Sequence, residues 1–330
     1  MNREEIKKAY SRIGMAYAVF ILVMYVASFI ITLAVKRAGI EVGSWLRYLI
    51  GMGPIWLCGF PACYLLIKGM YHICPDEHSI SFGYGIRFYF MLCFMMISGN
   101  IIGRLVAYLV KLTTGIAIDN TTIDMIGNQD LIPGFIFVVI LGPILEELAF
   151  RKILIDRLWF FSKKYTIFLS GIMFALFHTN IYQFFYAFFV GTLFAYIYTI
   201  TGRIRYSIML HMFINFMHGI LPLIFIKMMD VELITRLVVL SADSKEAQEL
   251  AMKLLVSPGF ILFILYCLMI LGFVITGIVL FVKNIKKMRV DDTMSPLQKP
   301  GALSVVYKNI GMITFILTII GFSIYEIAAS

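Results

Sequence analysis

Charge is scarce in this sequence. Asp, Glu, Lys and Arg make up 14% of its 330 residues, whereas 61% are hydrophobic. Soluble domains carry about 25% charged residues, so a fold dispersed in water is excluded. No Pro- or Ser-rich linker sets off a soluble domain, and no fixed-period repeat is visible. Metal signatures are missing too. The five cysteines (Cys58, Cys63, Cys74, Cys93, Cys267) show neither C-x-x-C nor zinc-ribbon spacing, and no H-E-x-x-H occurs. Lying mostly in apolar runs, they are expected to be small buried hydrophobes. His72 and His78 share a loop with Cys74 and Asp76, which supplies zinc-binding atom types without a compact motif. The charge is unbalanced, at +9, but its Lys and Arg sit in short clusters between apolar runs. That excludes a nucleic-acid partner and fits the retention of basic loops on the cytoplasmic side of a membrane.

What the chain has in quantity is spanning-length apolar sequence. A membrane helix needs roughly 20 mostly apolar residues. Such runs cover residues 13–35, 48–67, 88–110, 131–150, 181–200, 206–226, 259–282 and 310–325, with a shorter one at 165–177. The first is preceded by Arg3, Lys7, Lys8 and Arg12 and ends at Lys36 and Arg37. It is too long for a cleaved signal and is expected to stay as the first helix. The pattern predicts an all-α, polytopic transmembrane bundle of about nine spans, residues 1–330 forming one membrane domain in the cell membrane.

Loop charge predicts its orientation. Arg151, Lys152, Arg157, Lys163 and Lys164, then Arg203 and Arg205, then Lys283, Lys286, Lys287 and Arg289 fall on one side if about nine helices alternate. The opposite loops carry Asp119, Asp124 and Asp130, or Asp230, Glu232, Asp243, Glu246 and Glu249. The N-terminus is then cytoplasmic; Lys36, Arg37 and Arg47 are the misfits. Residues 230–257 form a charged outer loop in which Leu237, Leu240, Ala247, Leu250 and Leu254 have the spacing of one face of an amphipathic helix.

Ionisable groups inside spans are costly, so each needs a partner or a function. The fourth run ends Gly142-Pro143-Ile144-Leu145-Glu146-Glu147-Leu148-Ala149-Phe150-Arg151. Residues four apart share a helix face, so Glu147 faces Arg151, whereas Glu146 lies about 100° round the helix and escapes the pairing. One carboxylate is thereby committed to an ion pair and the other is free to act as a general base. His211 and Asn215 project from one face of the seventh run as two hydrogen-bond donors, which a tetrahedral oxyanion requires. His178 follows Phe174 by one turn. Water activated between Glu146 and His178, with His211 and Asn215 polarising a carbonyl, would complete an amide-hydrolysis site. There is a tension in depth: a fifth helix starting at Tyr165 puts His178 roughly 20 Å below the basic end, too deep for Glu146 unless the fourth helix continues past Arg151 or the fifth starts later or tilts.

The fragments Glu146-Glu147-x-x-x-Arg151, Phe174-x-x-x-His178 and His211-x-x-x-Asn215, in that order on hydrophobic helices, resemble the CPBP family. Its members are intramembrane proteases that include type II CaaX-prenyl endopeptidases and bacteriocin-processing or bacteriocin-immunity proteins. The resemblance covers about residues 131–226. It implies Glu146 and His178 as the water-activating pair, Glu147 with Arg151 as a structural ion pair, and His211 with Asn215 as carbonyl-polarising groups. The substrate implied is a peptide or protein in or at the membrane. The two His and one carboxylate could hold zinc, but the favoured expectation is a glutamate-dependent reaction with no cofactor.

Plainer roles stand beside these. Glu147 and Arg151 serve equally as a helix-anchoring pair, His178 as a hydrogen-bonded core residue, and His211 and Asn215 as helix-to-helix glue. His218, two turns from His211, fits packing or support of the site, and Asn100 and Arg104 either line a cavity or seal the bundle. The alternative functions are a non-catalytic immunity or scaffold protein and a transporter with a proton relay, against which the lack of an inverted repeat counts.

Overall fold

The computed structural model describes residues 2–115, 130–229, 234, 236–237, 244–297 and 300–329, and side chains as far as residue 324. All its regular structure is helical: α1 Arg3–Arg37, α2 Ser44–Ile67, α3 Phe82–Thr114, α4 Leu131–Leu158, α5 Lys163–Phe177, α6 Ile181–Thr201, α7 Ile204–Lys227, α8 Lys245–Leu255, α9 Pro258–Asn284, α10 Ala302–Tyr307 and α11 Ile310–Ala329. Seven of these (α1, α2, α3, α4, α6, α7, α9) are long and apolar enough to cross a membrane; α5 is shorter, and so is the apolar stretch Ile310–Ile324 of α11. The acidic residues Asp119, Asp124, Asp230, Glu232 and Asp243 and the apolar Leu240 lie outside the described residues. The remaining part of the amphipathic stretch is helix α8, with Ala247 and Leu250 buried.

Helix starts follow the local chemistry. In α1, the Asn2 side chain accepts from the Glu5 N–H (2.9 Å) while Glu5 accepts from the Asn2 N–H (2.9 Å), satisfying two end donors reciprocally. Ser162 accepts from Tyr165 N–H to start α5, and Asn180 accepts from Tyr182 N–H to start α6. α6 ends at Gly202, in the left-handed conformation (φ 62°), where a Cβ would run into the Pro75 carbonyl.

Packing gives α5 and α6 the interior and α9 the surface. In α6, 56% of the most apolar stretch is buried, against 6% in α9, whose Leu265, Leu268, Leu271 and Ile275 are exposed. Exposed apolar residues of that kind are what lipid covers. One apolar cluster joins α1, α2, α4 and α5 through residues such as Tyr17, Phe20, Phe150 and Phe174; a second joins α3, α6 and α7 through Leu92, Cys93, Phe194 and Ile214. Gly99 lets α3 approach the backbone of α6 at Tyr186, closer than any Cβ would allow. Cys63 and Cys93 are buried as expected, but Cys74 and Cys267 are exposed.

The depth tension resolves at the fourth helix, which does not stop at Phe150 but runs on to Leu158. Arg151, Asp156 and Arg157, which look like loop residues in a hydropathy reading, are all buried. Each has partners. Arg157 donates from Nε to Ile67 O at the end of α2 (3.2 Å) and from Nη1 to Ile153 O (3.0 Å). The chain then reverses over residues 159–162 and descends as α5, so that Ser170 on α5 stands level with Phe150 on α4, its Oγ donating to the Phe150 carbonyl (2.7 Å).

Candidate active site

Glu146 and Glu147 end the α-helical segment Gly142–Glu147 of α4, which is enclosed by two π-helical segments, Phe135–Leu141 and Leu148–Ile153. Single π turns are frequent where a helix is adapted to function. This one has a traceable consequence. Gly142 N–H bonds five residues back to Phe137 O, so the Val138 carbonyl should receive the next donor, residue 143. That residue is proline and has no N–H. The orphaned carbonyl is taken by Asn215 Nδ2 from α7 at 2.9 Å.

Glu147 is wholly buried and receives two partners. Arg151 Nε lies 3.1 Å from its Oε2, four residues on along the helix, and His211 Nδ1 from α7 lies 3.0 Å from its Oε1. A carboxylate only accepts, so the Nδ1 atom of His211 carries the proton in this contact. The Arg151 guanidinium, also wholly buried, lies over the rings of Phe174 (4.6 Å) and Phe194 (5.7 Å) and donates from Nη1 to Ser170 Oγ (3.4 Å). Aromatic faces attract a cation where water does not reach. The expected Glu147–Arg151 pair is present, and its further duty of orienting His211 is not readable from helix spacing, because the two residues are 64 apart in sequence.

Glu146 stands differently. Its side chain is 21% exposed, and His211 Nε2 lies 3.6 Å from its Oε2, beyond hydrogen-bond reach. His211 therefore sits between the two glutamates, one ring nitrogen fixed on Glu147 and the other turned toward Glu146. Phe194 packs at 5.0 Å from that imidazole and Phe174 at 5.9 Å, giving the ring dry walls.

His178 is the last turn of α5. Its Nδ1 lies 2.8 Å from Phe174 O, and a carbonyl only accepts, so Nδ1–H donates and Nε2 keeps a lone pair. The Phe174 ring touches both imidazoles, His178 at 4.8 Å and His211 at 5.9 Å. Glu146 and His178 do not bond each other. Directly after His178, Thr179 holds a positive φ of 51°, which a β-branched residue rarely adopts, and its Oγ1 lies 3.2 Å from Tyr25 Oη on α1. Backbone held in such a conformation is overdetermined by its surroundings, a condition met often at functional sites.

The other singled-out residues fall away from this cluster. His218 Nε2 lies 3.6 Å from Cys93 Sγ, Asn100 donates within its own helix to Met96 O (3.1 Å), and Arg104 is exposed. His72 is exposed and bonds only locally, to Met70 O. Among the described residues no three His, Cys, Asp or Glu side chains are grouped to share a metal ion. His211 Nδ1 is engaged by Glu147, which leaves Nε2 as the ring nitrogen turned toward Glu146. Ser170 and Phe194 belong to the site and carry no motif; in sequence they are one more small residue and one more aromatic in apolar runs.

Comparison with curated proteins and with solved structures gave no match. Residues 128–217 match the model of a family described as Rce1-like, type II CAAX prenyl endopeptidase. Glu146, Glu147, Arg151, His178, His211 and Asn215 all lie within that segment, so the part of the chain that carries the site is similar to that family of endopeptidases.

Proposed function

We propose that this protein is an intramembrane endopeptidase that hydrolyses a peptide bond of a membrane-associated protein or peptide, with Glu146 and His178 activating the water. The observation that carries this reading is the inequality of two adjacent carboxylates. Glu147 is paired with both Arg151 and His211, while Glu146 is partly exposed and accepts no hydrogen bond among the described residues. A carboxylate left over in a dry, aromatic-walled site is placed to take a proton from water. The Nε2 lone pair of His178 can accept from the same water, and His211, with its Nδ1–H held by Glu147 and a second proton on Nε2, would donate from the Glu146 side to a developing oxyanion. Asn215 supplies one amide proton to Val138 O, which leaves its second for the carbonyl. The reaction in this reading needs no metal ion. The membrane is the cell membrane, and the basic ends of α4, α6 and α9 face the cytoplasm.

The test is Glu146→Gln in the full chain, reconstituted in vesicles with a lipid-anchored peptide library and quantified at matched protein levels. Thermal stability is expected to be unchanged and cleavage to fall by about 10²–10⁴-fold, the scale of one general base. Chelator treatment of wild type is expected to leave cleavage intact. Undiminished cleavage by Glu146→Gln rejects the assignment; absence of cleavage by wild type, with an unchanged cellular phenotype of the variant, turns the reading to an immunity or scaffold role.

A further inference from the structure

A cavity of about 420 Å³ lies on the far side of α6 from the glutamates. Phe194 of α6 faces His211 and Arg151, while its neighbours Thr192, Leu193 and Tyr196 line the cavity. Opposite them stand Met91 and Met95 of α3, and the chain segment after α9 closes the end with Ile285, Met288 and Val290. The lining is almost wholly apolar. Its one charged member is Lys164, on the first turn of α5, exposed and without an ion pair among the described residues. Tyr307, also in the lining, has a buried hydroxyl with no hydrogen-bond partner among the described residues.

Position and size limit the occupant. Thr192 is nine residues from the end of α6 at Thr201, so the cavity reaches about 14 Å inward from the basic end of the bundle. One leaflet of hydrocarbon is about 15 Å deep, half of a ~30 Å core. A partner helix of that length, about 10–12 Å across, would need more than about 1,000 Å³ and does not fit. One flexible chain does, and methionine walls adapt to such a chain. Charge selects the head. Beside Lys164, the strap that supplies the apolar lining carries exposed Lys286, Lys287 and Arg289. Of the nearby acids, Asp292 accepts from Lys163 N–H and Ser162 Oγ, and Asp291 is exposed with one oxygen taken by Thr293, so four exposed cations, Lys164, Lys286, Lys287 and Arg289, outnumber the one open carboxylate. Lys163 itself lies over the Trp159 ring. Basic recesses between helices at the cytoplasmic leaflet are suited to anionic head groups.

We propose that this cavity binds one acyl chain of an anionic phospholipid, with the phosphate at Lys164 and the hydroxyl of Tyr307 available to a polar atom of the head or ester region. The test uses the full chain in phosphatidylcholine vesicles doped with a phosphatidylglycerol bearing a photoreactive diazirine in its acyl chain, against the same label on phosphatidylcholine. Cross-linked peptides are identified by mass spectrometry. Labelling of the peptides containing Met91, Met95 and Leu193 is expected to be at least about fivefold stronger from phosphatidylglycerol, and Lys164→Glu to reduce it to the phosphatidylcholine level. Met95→Trp, which fills the cavity, and Ile285→Trp, which plugs its exposed rim, are expected to remove those adducts while labelling of the outer face of α9 at Leu265 and Leu268 persists and reports an intact fold. Equal labelling by the two lipids, adducts confined to α9, or cavity adducts that survive both tryptophans each overturn the proposal. So does displacement of both lipids alike by a prenylated peptide, which would give the cavity to a substrate tail. The readout is lipid contact and does not depend on the peptidase reading.

Discussion

Helix α4 carries two ion pairs at the same spacing, and they differ in what surrounds them. Glu147 and Arg151 are both fully buried, and the pair is extended by His211 from α7. Five residues along, Lys152 and Asp156 pair at 2.9 Å near the helix end, Lys152 partly exposed, and the pair is extended by Tyr198 from α6 and Cys74 from the α2–α3 loop. An offset of five residues turns the second pair about 140° round the helix, so the two face different neighbours. Around Asp156 every polar group has a partner: Tyr198 Oη donates to Oδ1 (2.6 Å), Lys152 to Oδ2, and Lys152 also to Tyr198 Oη (3.1 Å) and Cys74 Sγ (2.9 Å). Beside Glu147 one carboxylate, Glu146, is left over. The saturated cluster anchors; the one with a surplus group has chemistry available to it.

The comparison breaks first at Glu147 and Arg151. Removing either partner leaves an uncompensated charge in a dry interior, and a loss of about 3–5 kcal/mol is expected. Arg151→Ala and Glu147→Ala should accumulate poorly, with a large fall in thermal midpoint measured in mild detergent. Arg151→Lys should recover only part of this, because a lysine lacks the planar guanidinium that lies over Phe174 and Phe194. Variants that retain wild-type midpoints would mean that the pair is not what holds α4 to α5 and α7.

Asn215 sharpens it next, since it stands between the two behaviours. Asn215→Ala leaves the Val138 carbonyl without its donor, at a cost of about 1–3 kcal/mol. Pro143→Ala restores an N–H where that carbonyl lacks one, so in a double-mutant cycle the stability cost of Asn215→Ala should shrink. Its rate cost should not shrink if the second amide proton serves the oxyanion, where losing one donor is worth on the order of 10²–10³. A rate loss that vanishes together with the stability loss would reduce Asn215 to helix glue.

Much of this was legible in the sequence, and the failures share a cause. Apolar runs located the helices, and i,i+4 spacing paired Glu147 with Arg151 while freeing Glu146. The end of α4 was misplaced because Arg151, Asp156 and Arg157 look like loop residues until their partners are known. Each has a partner distant in sequence or on the next turn, which offsets the cost of burial. Spacing offers His211 to a carbonyl, to a zinc set or to helix-to-helix glue; its grip on Glu147 depends on how α7 crosses α4, which no local period encodes. The Val138–Asn215 bond depends on a π turn, and only Pro143 hinted at irregular backbone.

The saturated cluster should respond in stability and not in rate. Tyr198 is fully buried and its hydroxyl makes a short bond to a carboxylate, so Tyr198→Phe is expected to cost about 1.5–3 kcal/mol, the range for bonds to charged groups. Turnover per folded molecule should match wild type, because Asp156 lies nine residues beyond Glu147 along α4, or about 14 Å. A rate loss exceeding the fraction unfolded would place this cluster in the catalytic machinery and erase the contrast.

The smallest effect belongs to Cys74. Its thiol donates to Asp156 Oδ2 at 3.4 Å, and it receives Lys152 Nζ at 2.9 Å, yet the residue is exposed and Asp156 keeps both Tyr198 and Lys152 without it. Loss of one weak donor at a surface, where water replaces it, changes stability within about 0.5 kcal/mol. Cys74→Ser should therefore melt and turn over as wild type, measured side by side with Tyr198→Phe. If Cys74→Ser instead loses as much stability as Tyr198→Phe, the loop it carries is holding the helix end through Asp156, and the cluster's anchoring strength comes from the loop and not from the buried tyrosine.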